Sequence, residues 1–233
     1  MNKETFIAYC KNININITKE LLNKFELYKD LIQEWNLKFN LTTIIKDDDI
    51  YLKHFYDSLY LSKEIDLNNK NICDFGTGAG FPGMVLSIIF SSSHFTLLES
   101  NNKKVLFLNE VKKKLKLENV TIINQRAEIY GKENREVFDI ITCRAVSNLS
   151  IILELSASML KVNGYFVPMK SNIEDELIKS NNIQKELGYS LIKKQEYLLP
   201  IENSNRTILI YKKVKQTDKK YPRNYNLIKK HSV

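Results

Sequence analysis

The ten residues Asp74-Phe75-Gly76-Thr77-Gly78-Ala79-Gly80-Phe81-Pro82-Gly83 constrain this chain more than any other segment, because they set four glycines between a short apolar run (72–75) and an apolar stretch of helical length (82–90). Glycines in that position let the chain turn tightly at the end of a strand and bring bare backbone against a ligand. Read from Gly78, the same residues satisfy GxGxxG, a pattern shared by sites for nicotinamide dinucleotides and for S-adenosylmethionine, so the loop alone does not separate the two.

Around this loop, short apolar runs alternate with helical stretches. The runs 72–75, 95–98, 120–123, 138–143 and 165–169 read as strands, and 82–90, 101–116, 149–160 and 173–187 as helices. Such alternation predicts an α/β fold with a mostly parallel sheet covered on both faces. After Gly188, two extended stretches (191–199 and 206–213) separated by Pro200 and a polar turn predict an antiparallel hairpin at the sheet edge. Before the sheet, Leu21, Phe25, Tyr28, Ile32 and Trp35 recur at helical spacing behind a capping Thr18, and a second helix is expected to start after the Asp47, Asp48, Asp49 run. The chain thus divides into a helical extension (1–69), a ligand-binding domain (70–214) and a basic tail (215–233) expected to pack loosely.

With 233 residues and 43% hydrophobic content, one good core with a modest extension is the natural outcome. No apolar run approaches the roughly 20 residues of a membrane span, so a cytoplasmic chain with no membrane partner is expected. Cys10, Cys73 and Cys143 are far apart and lack metal-ligand spacing, which fits a reducing compartment and predicts no metal site. A net charge of +8 is compatible with an anionic partner without requiring one. Helical lysine runs such as 112–114 are ordinarily solvated faces, whereas in the tail Lys219, Lys220 and Arg223 are interleaved with Tyr221 and Tyr225, a pattern suited to RNA. No heptad run demands a second copy, so a monomer is expected.

Acidic groups bear on the cofactor. Asp74 ends the first strand beside the glycines, where a carboxylate receives a cationic amino group and repels a pyrophosphate. Glu99, at the end of the next strand, is placed for ribose hydroxyls in either cofactor class. Arg126, Glu128 and Arg144 follow the third and fourth strands; singly they are ordinary loop charges, and with the glycine loop they become ligand candidates.

Taken in order, these residues resemble the bacterial guanine-N7 methyltransferases of small-subunit ribosomal RNA. The resemblance runs through Trp35-Asn36, Asn40-Leu41-Thr42, His54 with Asp57-Ser58-Leu59, the glycine loop, Glu99-Ser100 with Lys103-Lys104 and Phe107-Leu108, Arg126-Ala127-Glu128, Phe138-Asp139 with Cys143-Arg144-Ala145, and Lys220-Tyr221-Pro222-Arg223. It implies a Rossmann-like class I fold, S-adenosylmethionine as cofactor, and a 16S rRNA guanine as substrate. It also implies a cofactor pocket of Gly76, Gly78, Phe81, Ala127, Glu128 and Arg144, with Glu99 on the ribose. Phe75, Cys143 and Glu99 depart mildly from the family's usual residues, and the proline-leucine ending is lacking. Guanine N7 carries a lone pair and no proton, so no general base and no catalytic residue is expected. His54, Asp57 and Ser58 lack the separated elements of a hydrolase triad, and the resemblance implies a structural or RNA-side role for them. Three alternatives stay open: a nicotinamide-dependent oxidoreductase, a noncatalytic RNA-binding or ribosome-assembly protein on the same fold, and the same enzyme class acting on protein or a small molecule.

Overall fold

A computed structural model describes residues 1–171 and 173–230; the chain end, where the proline-leucine ending is lacking, lies outside the described residues. Two helices open the chain, α1 (Lys3–Asn12) and α2 (Lys19–Asn36), and the Thr18 side chain caps α2 by accepting from the Leu21 amide at 3.3 Å. A continuous helical segment follows. Its first turn is α3 (Asp47–Asp49), so the three aspartates form the start of the helix rather than precede it. It passes through a π-helical stretch (Ile50–Tyr56) into α4 (Asp57–Leu59) and a short 3-10 turn (Tyr60–Lys63).

The strands are β1 (Asn71–Phe75), β2 (His94–Leu98), β3 (Val120–Ile123), β4 (Phe138–Arg144), β5 (Leu160–Lys170), β6 (Tyr189–Leu199) and β7 (Ser204–Lys213). They form one seven-stranded sheet in the order β3-β2-β1-β4-β5-β7-β6. The first five pair in parallel, while β7 enters antiparallel between β5 and β6. The expected hairpin therefore exists, with β6 as the outer strand. The helices are α5 (Gly83–Ile89), α6 (Asn102–Leu115), α7 (Ala127–Glu133), α8 (Leu149–Ala157), α9 (Glu174–Leu187) and α10 (Tyr225–Lys230).

Strand parity divides the core. Ile72, Leu97, Ile140, Ile208 and Ile210 face a layer built with α1, α2, the π-helical stretch, α5 and α6. Their neighbours Cys73, Leu98, Ile141, Leu209 and Tyr211 face the opposite layer with α8 and α9. Successive side chains of a strand point to opposite faces, so a sheet buried on both sides reads as continuous apolar runs. Cys73 and Cys143 both lie in the second layer, where burial pushes their thiols well above the usual range and leaves them inert. The N-terminal helices share one continuous core with the sheet: Phe25, Tyr28 and Phe55 are buried together with Phe81 and Phe107.

The C-terminal segment is not the loose arm its composition suggests. Arg135 donates to the backbone carbonyls of Thr217 and Tyr221 at 2.7 Å each, and Tyr221 and Ile228 are buried. Glu154 on α8, 1% exposed, is bound by Arg223 through Nη2 at 2.6 Å and accepts the Arg223 amide at 2.9 Å. A buried carboxylate requires a cation and donors, and Arg223 supplies both. Sequence pattern could not reveal this, because the partners stand 69 residues apart.

Candidate active site at the carboxyl ends of the strands

Strand order reverses between β1 and β4, and the crevice outside the carboxyl ends at such a switch point is where open α/β sheets bind ligands. The glycine loop occupies it. Gly76, Gly78 and Gly80 all take positive φ (65°, 63° and 98°), a region that L side chains rarely adopt. A Cβ on Gly80 would meet the Tyr28 hydroxyl at 2.3 Å, so that glycine exists for packing. Gly78 differs: a Cβ there would meet nothing closer than Lys104 Nζ at 3.9 Å, so its bare backbone faces open space. From the helical layer, Tyr28 donates to the Ala79 carbonyl at 2.5 Å and pins the loop to α2.

Three carboxylates gather at this end of the sheet. Asp74 is fully buried; its Oδ2 accepts from Thr77 Oγ1 at 2.6 Å and the Gly83 amide at 2.7 Å, while Oδ1 has no partner. Burial raises its carboxyl to about 7 against those hydrogen bonds, with Arg144 favouring the charge and Glu99 opposing it. Glu99, 7% exposed, accepts the Gly78 amide at 2.9 Å and the Asn101 amide at 2.8 Å, which fixes its carboxylate beside the loop. Glu128 lies in the first turn of α7, directly after Ala127, and pairs with Arg126 Nε at 2.6 Å. The Arg126 guanidinium in turn sits 4.6 Å from the centroid of the Tyr225 ring.

Arg144 and Phe81 occupy the other flank. Arg144 donates through Nη1 to the Lys53 carbonyl at 2.9 Å and to Asp57 Oδ2 at 3.0 Å, and through Nη2 to His54 Nδ1 at 3.3 Å. Because a guanidinium only donates, His54 Nδ1 is the acceptor and its Nε2 hydrogen points to Thr42 Oγ1 at 3.1 Å. Burial, then the charges of Arg144 and Lys53, lower the imidazole to about 3, so His54 is neutral. Its ring stacks on Phe81 at 4.0 Å. Beyond it opens a cavity of about 450 Å3 whose lining includes Asp57, Arg144, Met169, Lys170, Tyr197 and Arg206. Asp57 also accepts from Tyr197 at 2.8 Å.

Gly76, Gly78 and Glu99 follow the carboxyl ends of β1 and β2, Ala127 and Glu128 open the helix after β3, and Arg144 meets Phe81 beside the cavity, its guanidinium 5.3 Å from the ring centroid. Sequence reasoning joined neither His54 and Asp57 to Arg144 nor Tyr28 to the loop; these pairings span 51 to 90 residues and leave no local signal. Ser58 is fully buried and donates to the His54 carbonyl at 2.5 Å, so its proton is directed at backbone and not at a base. Among the described residues no cluster of metal-ligating side chains occurs, and no helix is long and apolar enough to cross a membrane. Of the tail residues expected on RNA, Arg223 is bound inward to Glu154, Lys220 pairs with Glu186 at 2.8 Å, and Lys219 is exposed.

A seven-stranded sheet with this order, its last-entering strand antiparallel and a glycine loop after β1, is the class I fold of S-adenosylmethionine-dependent methyltransferases. The structure of a SAM dependent methyltransferase from Aquifex aeolicus matches with a TM-score of 0.57 at 17% identity, over 72% of this chain and 94% of that one. The chain belongs to the rRNA small subunit methyltransferase G family, whose profile matches residues 21–197. It is 43% identical over 227 residues to ribosomal RNA small subunit methyltransferase G of Bacillus subtilis, covering 96% of this chain and 95% of the relative. The protein of the same name from Fusobacterium nucleatum is 41% identical over 225 residues, with 97% of each covered.

Proposed function

We propose that this protein transfers a methyl group from S-adenosylmethionine to N7 of a guanine in 16S ribosomal RNA, acting as a cytoplasmic monomer. The observation that carries the reading is the acid-lined glycine loop in a chain alike over nearly its whole length to methyltransferases named for small-subunit rRNA. The cofactor is a nucleoside with a sulfonium and an ammonium group. A buried carboxyl with an unpartnered oxygen, a fixed carboxylate at the next strand end and an open backbone at Gly78 fit it. The same lining repels a pyrophosphate, which disfavours a nicotinamide cofactor.

In this reading Gly76 and Gly78 bring backbone to the cofactor, Glu99 takes the ribose hydroxyls, Asp74 stabilises the amino group, and Ala127 and Glu128 lie against the base. Phe81 and Arg144 separate this groove from the neighbouring cavity and hold the acceptor side in shape. When bound, the cofactor supplies an electrophilic methyl group on sulfur. Guanine N7 needs no deprotonation, and His54, with both ring nitrogens already engaged, has no lone pair to serve as a base. Rate enhancement then rests on alignment and on electrostatics.

Incubation with methyl-labelled S-adenosylmethionine and either small subunits or naked RNA from cells lacking the modification, followed by mapping of the label, tests the proposal. Label at a guanine N7 is expected. Cofactor binding without transfer to either substrate would favour a noncatalytic RNA-binding role instead.

A further inference from the structure

Where α2 ends, Asn36 Oδ1 accepts the amides of Leu41 at 2.8 Å and Thr42 at 3.0 Å, which pins the intervening turn in a hooked shape. At its tip Leu37 is 89% exposed, more than any other large hydrophobic side chain among the described residues. A single exposed leucine needs no explanation by itself. This one stands on the rim of a cavity of about 330 Å3 whose charged lining is Lys38, Lys103 and Lys104, with no carboxylate. Lys38 pairs with exposed Glu34 at 3.1 Å, and Lys103 Nζ lies 5.4 Å from the Phe39 ring centroid. Neither Lys103 nor Lys104 has an ion-pair partner among the described residues. The patch borders the glycine loop, since Lys104 Nζ reaches to 3.9 Å from the place a Gly78 Cβ would take.

We infer that Leu37, Phe39, Lys103 and Lys104 form the surface on which the RNA substrate docks beside the methyl-transfer groove. The inference rests on the proposed function and moves the main RNA contact from the C-terminal segment to the α2–α6 rim. The lysines pair with backbone phosphates, and their unneutralised charge suits an anionic partner. N7 of a guanine in an A-form helix is hidden in a deep groove, so the target must leave the stack before it reacts. An apolar side chain that inserts where bases unstack offsets part of that loss, and Leu37, held out by the pinned turn, is placed for this role.

The test uses the full chain, unmodified small-subunit RNA both naked and in assembled subunits, and the variants Leu37→Ala and Lys103→Met/Lys104→Met. Readouts are RNA affinity against salt, the methyl-transfer KM for RNA, and S-adenosylmethionine affinity by calorimetry. Leu37→Ala is expected to raise the RNA KM roughly 5-fold or more, the loss of about 1 kcal/mol of apolar contact, with the salt slope and cofactor affinity unchanged. The double lysine variant should reduce the slope of log K against log salt by about 1.4 to 1.8, since each phosphate contact contributes roughly 0.7 to 0.9. Wild-type RNA affinity and slope in both variants would overturn the inference. So would an effect seen only on assembled subunits, which would assign the surface to a ribosomal protein, or loss of cofactor affinity alone. Absence of methyl transfer by the unmodified enzyme would instead sink the proposed function.

Discussion

Two buried groups at the switch point carry opposite pH signatures. Asp74 titrates near 7 in the fold, so in the free protein near neutrality it is partly protonated. A cationic ligand beside it favours the carboxylate. S-adenosylmethionine affinity should therefore rise between pH 6 and 8 with release of a proton, measured by calorimetry in two buffers of different ionisation enthalpy. Asp74→Asn should bind more weakly and lose that dependence, whereas a wild-type affinity flat across this range would place the ligand elsewhere. His54 acts on stability instead. Its folded value of about 3 lies below the ordinary 6.5, so the unfolded chain binds more protons between those values. Stability referred to this group is complete above pH 6.5 and is lost as pH falls towards 3, by up to about 1.4 kcal/mol per pH unit. Asp74 works the other way, stabilising at low pH and losing that contribution as pH rises from 3.8 through 7. Comparison of His54→Gln with wild type by urea unfolding isolates the imidazole: the difference should change steadily below pH 6.5 and be level above it. The place of Glu99 beside the glycine loop was legible in the sequence because it directly follows a strand. His54 was not, since its neutrality comes first from burial by distant elements and then from an arginine 90 positions away.

Among the elements, the segment after β7 departs most from what its composition foretold. Its cations were read as free for RNA because charge and aromatic content are local properties, whereas the buried acid that holds Arg223 belongs to α8. Arg223→Ala leaves Glu154 buried without its cation, and should cost about 3 kcal/mol by urea unfolding. Replacing both residues by apolar ones of similar size, as in Glu154→Leu/Arg223→Met, should recover much of the loss. Little loss in the single variant would mean that water reaches Glu154. The long helices were legible by their periodicity, and the strands and α5 as short continuous apolar runs. Helix α7 was missed because its seven residues, unlike the equally short α5, form no apolar run, although Glu128 in its first turn had already been singled out.

For the molecule as a whole, the helical extension foreseen at 1–69 shares a core with the sheet: Tyr28 packs against Phe81 and Phe107 and hydrogen-bonds the glycine loop. A fragment starting at residue 70 would expose that apolar layer and lose the pin on Ala79. It should not fold cooperatively, while the full chain should unfold in one transition by circular dichroism and by tryptophan fluorescence alike; an independently folded fragment would show that the extension is a separate unit. Entry of β7 between β5 and β6 has a consequence for biosynthesis. β5, 11 residues long, gains its neighbour on that side only when residues 204–213 arrive, late in translation. A chain halted earlier presents a long strand edge with unmet amides and carbonyls, the kind of surface that sticks to other chains and draws chaperones and proteases. The strand order thereby leaves completion of the sheet to the last strand made, and only a chain carried past β7 covers that edge.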